Sequence, residues 1–284
     1  MQASANEDRA FLEELAPSFP PARLKLGRKG EDDAPCSVCL GEMAPANLDL
    51  WAERAASALN GWDYRTLLVG TLMSGLLAEN EELIVADGGS LHAEPFKSEL
   101  NREVGKRLSA LVGKSVDLKS PDMVVHLNLE KGEVQLQVSS IFIRGRYRKL
   151  VRGIPQTRWP CRECRGRGCQ RCEGTGRMYQ ESVDELIRPA VMQAAGAEDT
   201  VFHGAGREDI DARMLGSGRP FIVEAVRPRI RKIDLALLEQ EICRQAEGKV
   251  EVTGLSWADS AMVERLKEAA FEKTYSALVR LGGA

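Results

Sequence analysis

A glycine-rich stretch from Gly204 to Phe221 holds several carboxylates and guanidiniums that could do chemistry. Glycines at 204, 206, 216 and 218 permit backbone conformations that other residues rarely adopt, which predicts a constrained loop rather than a solvated helix face. Arg207 and Asp209 lie two residues apart, so an extended segment places both side chains on one side, where the arginine keeps the carboxylate ionised. Such a carboxylate can act as a nucleophile or a base without a metal. A polar surface turn with incidental ion pairs is the alternative.

The cysteines carry a second chemical signal, because six of the seven occur in CxxC pairs. Two pairs, separated by four residues, comprise Cys161, Cys164, Cys169 and Cys172. Four thiolates at this spacing can surround one tetrahedral zinc ion, and a closed set of four predicts a structural metal rather than a catalytic one. The remaining pair, Cys36 and Cys39, supplies only two ligands. It is either the remnant of a lost site or a partner of one of the other pairs in holding a metal.

Basic residues are concentrated between Arg144 and Arg177, a segment that contains eleven arginines and lysines but only two glutamates. The whole chain has a formal net charge of −3, which argues against general adhesion to nucleic acid and favours a local contact. Interleaved aromatic residues could stack on bases. We therefore expect a phosphate-binding surface. With two arginines of the glycine-rich stretch, the predicted RNA contacts are Arg144, Arg146, Tyr147, Arg148, Lys149, Arg152, Arg158, Arg213 and Arg219.

The elements that position these residues follow from apolar periodicity. In the first half, the pattern predicts a helix over 48–59, a strand over 66–73, a helix over 96–111 and a hairpin of strands 123–129 and 134–138. These elements indicate a compact α+β module. Residues 1–33 are rich in charge, proline and alanine, which predicts an extension with a short helix over 8–15.

The second half predicts a second set of alternating elements. A capping-box pattern at Ser182 begins a helix that continues to about Ala195, with Pro189 inside it. Strands over 221–226, 250–255 and 275–281 alternate with helices over 235–246 and 259–270. The alternation favours a mixed-sheet α/β or α+β domain, and 284 residues with 43% hydrophobic content are enough for about two domains.

The compartment follows from the apolar segments and the cysteines. Residues 1–9 are polar and resemble no secretory signal, while the longest apolar run, over 67–78, is interrupted and too short to span a bilayer. We expect a cytoplasmic protein without a membrane partner. In that compartment, paired cysteines favour metal ligation over disulfides.

Three segments carry a resemblance to a known family. The string HGAGREDIDARMLGSGRPF at 203–221 resembles the catalytic signature of the archaeal and eukaryotic tRNA pseudouridine-54/55 synthases, the tenth family of pseudouridine synthases. FKSELNREVGKRL and GRYRKLVRGIPQTRWPC also resemble that family's segments. The resemblance implies an α+β protein: an extension with a CxxC pair (1–45), a THUMP-like RNA-binding domain (46–155), a four-cysteine zinc insert (156–178) and the N-terminal part of a pseudouridine synthase-type catalytic domain (179–284).

The same resemblance implies roles for individual residues. Asp209 corresponds to the catalytic aspartate, which attacks the anomeric carbon or removes the proton of ribose carbon 2. A further segment, KTYSAL at 273–278, resembles a second motif of the family, and its Tyr275 corresponds to the tyrosine that stacks on the flipped uracil and takes part in catalysis. We expect Arg207 to keep Asp209 ionised. The implied partner is tRNA, modified at uridine 54, uridine 55 or both in the TΨC arm, and no organic cofactor is implied beside structural zinc.

The resemblance also shows a departure at the end of the chain. Relatives continue through a C-terminal segment that completes the catalytic sheet and the uridine pocket, and we expect this chain to be short of that segment. Two classes of function follow. One is a tRNA pseudouridine synthase, acting alone or with a second polypeptide that supplies the segment as in a split enzyme. The other is a noncatalytic tRNA-binding zinc protein.

Overall fold

The computed structural model describes residues 10–11, 13, 36, 38–73, 75–84, 94–269, 272 and 274–279. It divides into two compact units, Met1–Ser139 and Ser140–Ala284, each with its own apolar core. Both units combine helices with a sheet, so the α+β class is confirmed. Most of the helix predicted over 8–15 lies outside the described residues.

The first unit is built on one four-stranded sheet with helices packed against it. Its elements are α1 (Pro45–Ala58), β1 (Thr66–Leu72), α2 (Gly75–Ile84), α3 (Phe96–Val112), β2 (Ser115–Val116), β3 (Met123–Asn128) and β4 (Glu133–Val138). The strand order is β2-β1-β3-β4, with β1 parallel to both neighbours and β3 antiparallel to β4. The predicted hairpin is therefore confirmed, whereas α2 and β2 were not predicted.

Apolar spacing explains the longest helix of this unit. In α3, Phe96, Leu100, Val104 and Leu108 recur at intervals of four and are all buried in the core. The helix ends at Gly113, whose φ of 64° is the left-handed conformation that suits a glycine after a helix.

The second unit is also organised around four strands. Its elements are β5 (Ile141–Lys149), α4 (Val183–Ala195), β6 (Asp199–Gly204), β7 (Met214–Val226), α5 (Leu235–Gln245), β8 (Val250–Ala258) and α6 (Ser260–Glu268). The order is β6-β7-β5-β8, and the pairings among these described strands are all antiparallel. The mixed sheet expected for this half of the chain is instead found in the first unit.

The position of strand β5 shows that the boundary between the two units lies earlier in the chain than predicted. The sequence interpretation placed residues up to 155 in the first domain and treated 144–152 as basic surface. In the structure the units divide between Ser139 and Ser140, and β5 is an inner strand of the second sheet. The reason is alternation: Ile141, Ile143 and Tyr147 point into the core, while the arginines between them point away from it.

Two helices cover one face of this second sheet. Helix α4 begins as predicted, because the Ser182 hydroxyl accepts the amide of Glu185 at 3.3 Å, and it continues through Pro189. Apolar residues of α4 and α5, among them Ile187 and Leu238, join the core with the inward side chains of β5. The other face carries the arginines of β5, and α6 packs against β6 and β7 beside them.

Two predictions for the second unit are wrong. Strand β7 begins at Met214, so the glycine-rich loop covers only residues 205–213 and not the whole stretch to Phe221. The strand predicted over 275–281 does not form within Thr274–Val279, and residues 280–281 lie outside the description. Among the described helices, none has the length and apolar character needed to cross a bilayer.

Candidate functional site

Strands β6 and β7 hold the loop over 205–213 at one end of the second sheet. Within it, Arg207 and Asp209 are exposed and the residue between them, Glu208, is buried. The two candidate residues therefore lie on the solvent side, as an extended segment predicts. The predicted ion pair is not formed: in the described part of the chain, no ion pair links Arg207 to Asp209. The carboxylate that does pair with an arginine is that of Glu208, whose partner is Arg219.

Glu208 is the centre of a buried polar cluster beneath the loop. The Tyr147 hydroxyl donates to Glu208 Oε2 at 2.7 Å, and Arg219 Nε lies 3.0 Å from the same oxygen. Lys149 Nζ is 3.9 Å from Glu208 Oε1. One carboxylate thus faces two cations in a site that is closed to water, where such interactions are strong.

Lys149 connects this cluster to the backbone of Asp209. Its ammonium group donates to the carbonyl oxygens of Ile154 at 2.9 Å, Asp209 at 3.0 Å and Ile210 at 3.1 Å. Burial lowers the pKa of Lys149, and the negative charge of Glu208 opposes that shift. Burial also raises the pKa of Tyr147, and the Glu208 carboxylate adds to the effect.

Three predicted RNA contacts are contradicted by this cluster. Tyr147 and Lys149 have no exposed surface, and Arg219 is 7% exposed. Tyr147 packs edge to face against Phe202 and Phe221, so its ring faces no base. Arg219 donates to the carbonyl of Ala205 at 2.7 Å in addition to its ion pair. All three residues stabilise the loop from inside instead of meeting a phosphate.

Glycine is required where β7 passes close to β5. Gly218 has a φ of 72°, and a Cβ there would lie 2.7 Å from the carbonyl oxygen of Tyr147. The register of the two strands shifts at the same place, between Tyr147 and Lys149. The glycine-rich composition therefore serves this irregularity in the strand pair.

The outward face of β5 carries a row of three arginines. Arg144 Nε donates to Ser256 Oγ at 2.9 Å, Arg146 donates to the carbonyl oxygens of Ser217 and Gly218, and Arg148 pairs with Glu251. This face is opposite to the one that α4 and α5 cover. Beyond the strand, the predicted contacts Arg152, Arg158 and Arg213 are all exposed.

A cavity lies on the arginine face of the sheet, beside α6. It has a volume of about 500 Å³, within the usual range for a pocket that binds a small molecule. Arg144, Arg146 and Arg265 contribute charge to its lining, and Phe221 and Leu266 contribute apolar surface.

The four cysteines of the second unit converge on one point. Their sulfurs all lie within 4.8 Å of one another, and three of the separations are 3.7–3.8 Å. Sulfurs at about 2.3 Å from a tetrahedral zinc ion lie about 3.8 Å apart, so the arrangement fits such an ion. The cluster can therefore hold a metal, as the spacing predicts.

Backbone N–H groups prepare these sulfurs to act as ligands. Gly168 donates to Cys164 Sγ at 3.1 Å, and Gly176 donates to Cys172 Sγ at 3.2 Å. Burial raises the pKa of Cys172, but the N–H groups of Cys169 and Gly176 help to bring it down to about 6. Cys36 and Cys39 instead pack with the core of the first unit, so the four sulfurs form a complete set without them.

Tyr275 lies on a segment without regular structure. Its side chain is 69% exposed, and no described contact joins it to Asp209. The described contacts thus link Asp209 to the buried cluster, and none of them links Tyr275 to it.

Sequence reasoning missed two residues of the loop's support. Glu208 anchors the loop, and Gln156 donates to the Tyr147 hydroxyl at 2.8 Å and to the Gly206 carbonyl at 2.9 Å. The position of Glu208 had a signal, because an extended segment that exposes residues 207 and 209 must turn residue 208 inward. The sequence carries no comparable signal for Gln156, since nothing in a loop pattern indicates that its side chain reaches Tyr147 on β5.

Two family descriptions match the chain. "Pus10 THUMP domain, archaeal" covers residues 51–128, in the first unit, and "Pus10, C-terminal" covers residues 142–283, in the second. The second match alone accounts for half of the chain.

Curated relatives agree with these matches. The "tRNA pseudouridine synthase Pus10" of Methanothrix thermoacetophila is 62% identical over 279 residues, which are 98% of this chain and 61% of that protein. The proteins of the same name from Halorubrum lacusprofundi and Methanothermobacter marburgensis are 43% and 46% identical, over 96% and 89% of this chain. The aligned regions span 66% and 63% of those two relatives, so the chain spans just under two thirds of the length of each of the three relatives.

Proposed function

The chain belongs to the Pus10 family, and on that basis we propose that it is a tRNA pseudouridine synthase that isomerises uridine 54, uridine 55 or both in the TΨC arm. The observation that supports this proposal most directly is the exposed carboxylate of Asp209, whose backbone is tied to a buried cluster of charged groups. A reactive side chain on a rigid support is the arrangement that catalysis requires.

The proposed reaction exchanges one ribose bond for another. The bond between the anomeric carbon and uracil nitrogen 1 breaks, the base rotates, and the anomeric carbon joins carbon 5. Carbon 5 loses its proton to solvent and nitrogen 1 gains one, so no electrons or cofactors are exchanged. Asp209 acts as the nucleophile at the anomeric carbon or as the base at ribose carbon 2.

Binding of tRNA in this proposal uses the arginine face of the second sheet. Arg144, Arg146 and Arg148 form one row, and the exposed Arg152, Arg158 and Arg213 extend the positive charge beyond it. Arg207 makes no described ion pair, so its guanidinium is available to a phosphate near Asp209. Contacts of this kind repay the cost of flipping a stacked base, which is a few kcal/mol.

Zinc is the metal that we propose for the four-cysteine cluster. Cys161, Cys164, Cys169 and Cys172 would all be ligands, which leaves no open position for a substrate or a water molecule. The metal would hold the arginine-rich insert in one conformation. It takes no part in the isomerisation.

Chemical mapping of pseudouridine tests the proposed position. An unmodified tRNA transcript is incubated with the chain, treated with a carbodiimide that marks pseudouridine, and copied by reverse transcriptase. Stops next to position 54 or 55 are expected, and each should vanish in a transcript with cytidine at that position. A mark elsewhere in the tRNA, with none in the TΨC arm, would contradict the assignment.

One observation favours the second candidate, a tRNA-binding zinc protein without chemistry of its own. Tyr275, the predicted stacking residue, is exposed on an irregular segment, so the described residues form no complete uracil site around Asp209. If this candidate is right, the transcript binds tightly but carries no mark. Activity that appears only with a second polypeptide would instead indicate a split synthase.

A further inference from the structure

We infer that Lys149 is a positioning residue, which fixes the backbone of the Asp209 loop through three hydrogen bonds from its buried ammonium group. The part of this inference that concerns reaction rate rests on the proposed function. The part that concerns the loop does not.

The geometry uses every donor of the lysine. An ammonium group has three N–H bonds, and those of Lys149 meet three carbonyl oxygens at 2.9–3.1 Å. The carbonyl of Ile210 also accepts the amide of Gly153 at 3.0 Å. The segment after β5 and the loop that bears Asp209 are therefore joined at one point under the reactive side chain.

Burial makes this arrangement specific to lysine. The Lys149 side chain has no exposed surface, and Glu208 Oε1 lies 3.9 Å from its nitrogen. An apolar side chain would fill the space but would offer no donor to the carbonyls, and arginine would place a wider, planar group there. Burial of a charge is costly unless the charge is paired and hydrogen-bonded, and Lys149 meets both conditions only with the loop carbonyls and Glu208 in their present positions.

Replacement of the lysine separates positioning from stability. Lys149→Met leaves the Glu208–Arg219 ion pair in place, so the remaining buried charges stay balanced. Lys249→Met is the matched control, because Lys249 lies in the same unit and forms a partly exposed ion pair with Glu181 at 2.8 Å.

Two readouts are measured on both variants and on the unmodified chain. The first is kcat and KM for tRNA, and the second is hydrogen exchange at the amides of Gly153 and Ala212, which bond to Ile210 and Asp209. For Lys149→Met we expect kcat to fall by about 10²-fold with little change in KM, because small displacements at a reacting group have effects of that size. Exchange at both amides should accelerate, and Lys249→Met should change neither readout.

The outcomes distinguish this inference from the proposed function. If the unmodified chain binds tRNA but is inactive, the proposed function fails for this chain, and the exchange data alone decide whether Lys149 holds the loop. Unchanged exchange in Lys149→Met overturns the inference, as does an unchanged kcat in an active enzyme. A lower kcat that is accompanied by a higher KM and by a loss of global stability would show a merely structural role.

A second variant covers the case in which Lys149→Met does not fold. Lys149→Gln keeps two N–H donors without the charge, so it should give an intermediate kcat and intermediate exchange. The unmodified chain provides a check that needs no variant: if Gly153 and Ala212 exchange as fast as amides in an unstructured peptide, nothing holds the loop and the inference is wrong.

Discussion

Arg219 Nε lies 3.0 Å from Glu208 Oε2, and both side chains are almost fully buried directly beneath the exposed loop. The sequence pattern marks the surface residues Arg207 and Asp209 as candidates for chemistry, but the buried Glu208 between them holds the loop in its conformation. The chemistry proposed for Asp209 therefore depends on an interaction that faces away from any substrate.

Removal of the Glu208 carboxylate should destabilise the second unit strongly. Glu208→Ala leaves Arg219 and Lys149 buried without a counter-charge, and loss of one partner of a buried pair typically costs about 3–5 kcal/mol. Urea unfolding followed by circular dichroism measures the loss. Glu241→Ala, which breaks an exposed pair with Arg244, should leave the midpoint unchanged, and equal effects of the two variants would contradict the buried role.

Metal content should follow the four-cysteine cluster alone. We expect about one zinc per chain, measured by mass spectrometry of the metal, and a loss of zinc in Cys161→Ser or Cys172→Ser because three sulfurs leave the tetrahedral set incomplete. Cys36→Ser and Cys39→Ser should keep the zinc, since these cysteines pack in the first unit's core. A loss of zinc in either of the latter variants would restore the shared-site alternative.

The salt dependence of tRNA binding should report the arginine face. Arg144→Gln removes one of the proposed phosphate contacts, so the slope of log affinity against log salt concentration should become shallower by about 1. Arg244→Gln, on α5 at the opposite face, has the same change of charge and should leave the slope unaltered. Identical slopes for Arg144→Gln and the unmodified chain would contradict the proposed surface.

The stability effect of Asp184 should depend on pH. Burial in α4 raises the pKa of Asp184, against the opposing charge of Arg188, so the folded state disfavours the carboxylate. Below the unfolded pKa, about 3.9, the group is protonated in both states, and stability falls as pH rises through the higher folded pKa. Asp184→Asn should therefore raise the melting temperature at pH 7, with the gain shrinking toward pH 4.

A matched comparison isolates that effect from simple loss of negative charge. Asp211→Asn removes an exposed carboxylate from the same unit and should show no such pH-dependent gain. A lower melting temperature for Asp184→Asn at pH 7 would mean that the carboxylate is stabilising and that its attraction to Arg188 outweighs the burial.

Much of the fold follows from local patterns that the sequence displays. Helix α3 was evident from Phe96, Leu100, Val104 and Leu108, and the Ser182 cap marked the beginning of α4. Strand β5 was missed although Ile141 and Ile143 begin a regular alternation, because the dense arginines suggested a surface. The charges do lie on a surface, but on only one side of the strand.

The candidate site was less predictable because burial of a polar residue is decided by its partners. Lys149 and Arg219 look like phosphate contacts in a basic sequence, and only the position of Glu208 shows why they turn inward. Lys149 and Glu208 are about 60 residues apart along the chain, and they meet only after β5 and β7 pair. The cysteine cluster was easier, since its ligands are close in sequence.

The central claim is that Asp209 carries out uridine isomerisation. Release of tritium from carbon 5 of uridine in labelled tRNA tests it most directly, with the unmodified chain, Asp209→Asn, and Asp211→Asn as a control on the same exposed loop. The account predicts release by the unmodified chain and by Asp211→Asn, and none by Asp209→Asn at equal tRNA affinity. Continued release by Asp209→Asn, or tRNA binding without release by the unmodified chain, would contradict it.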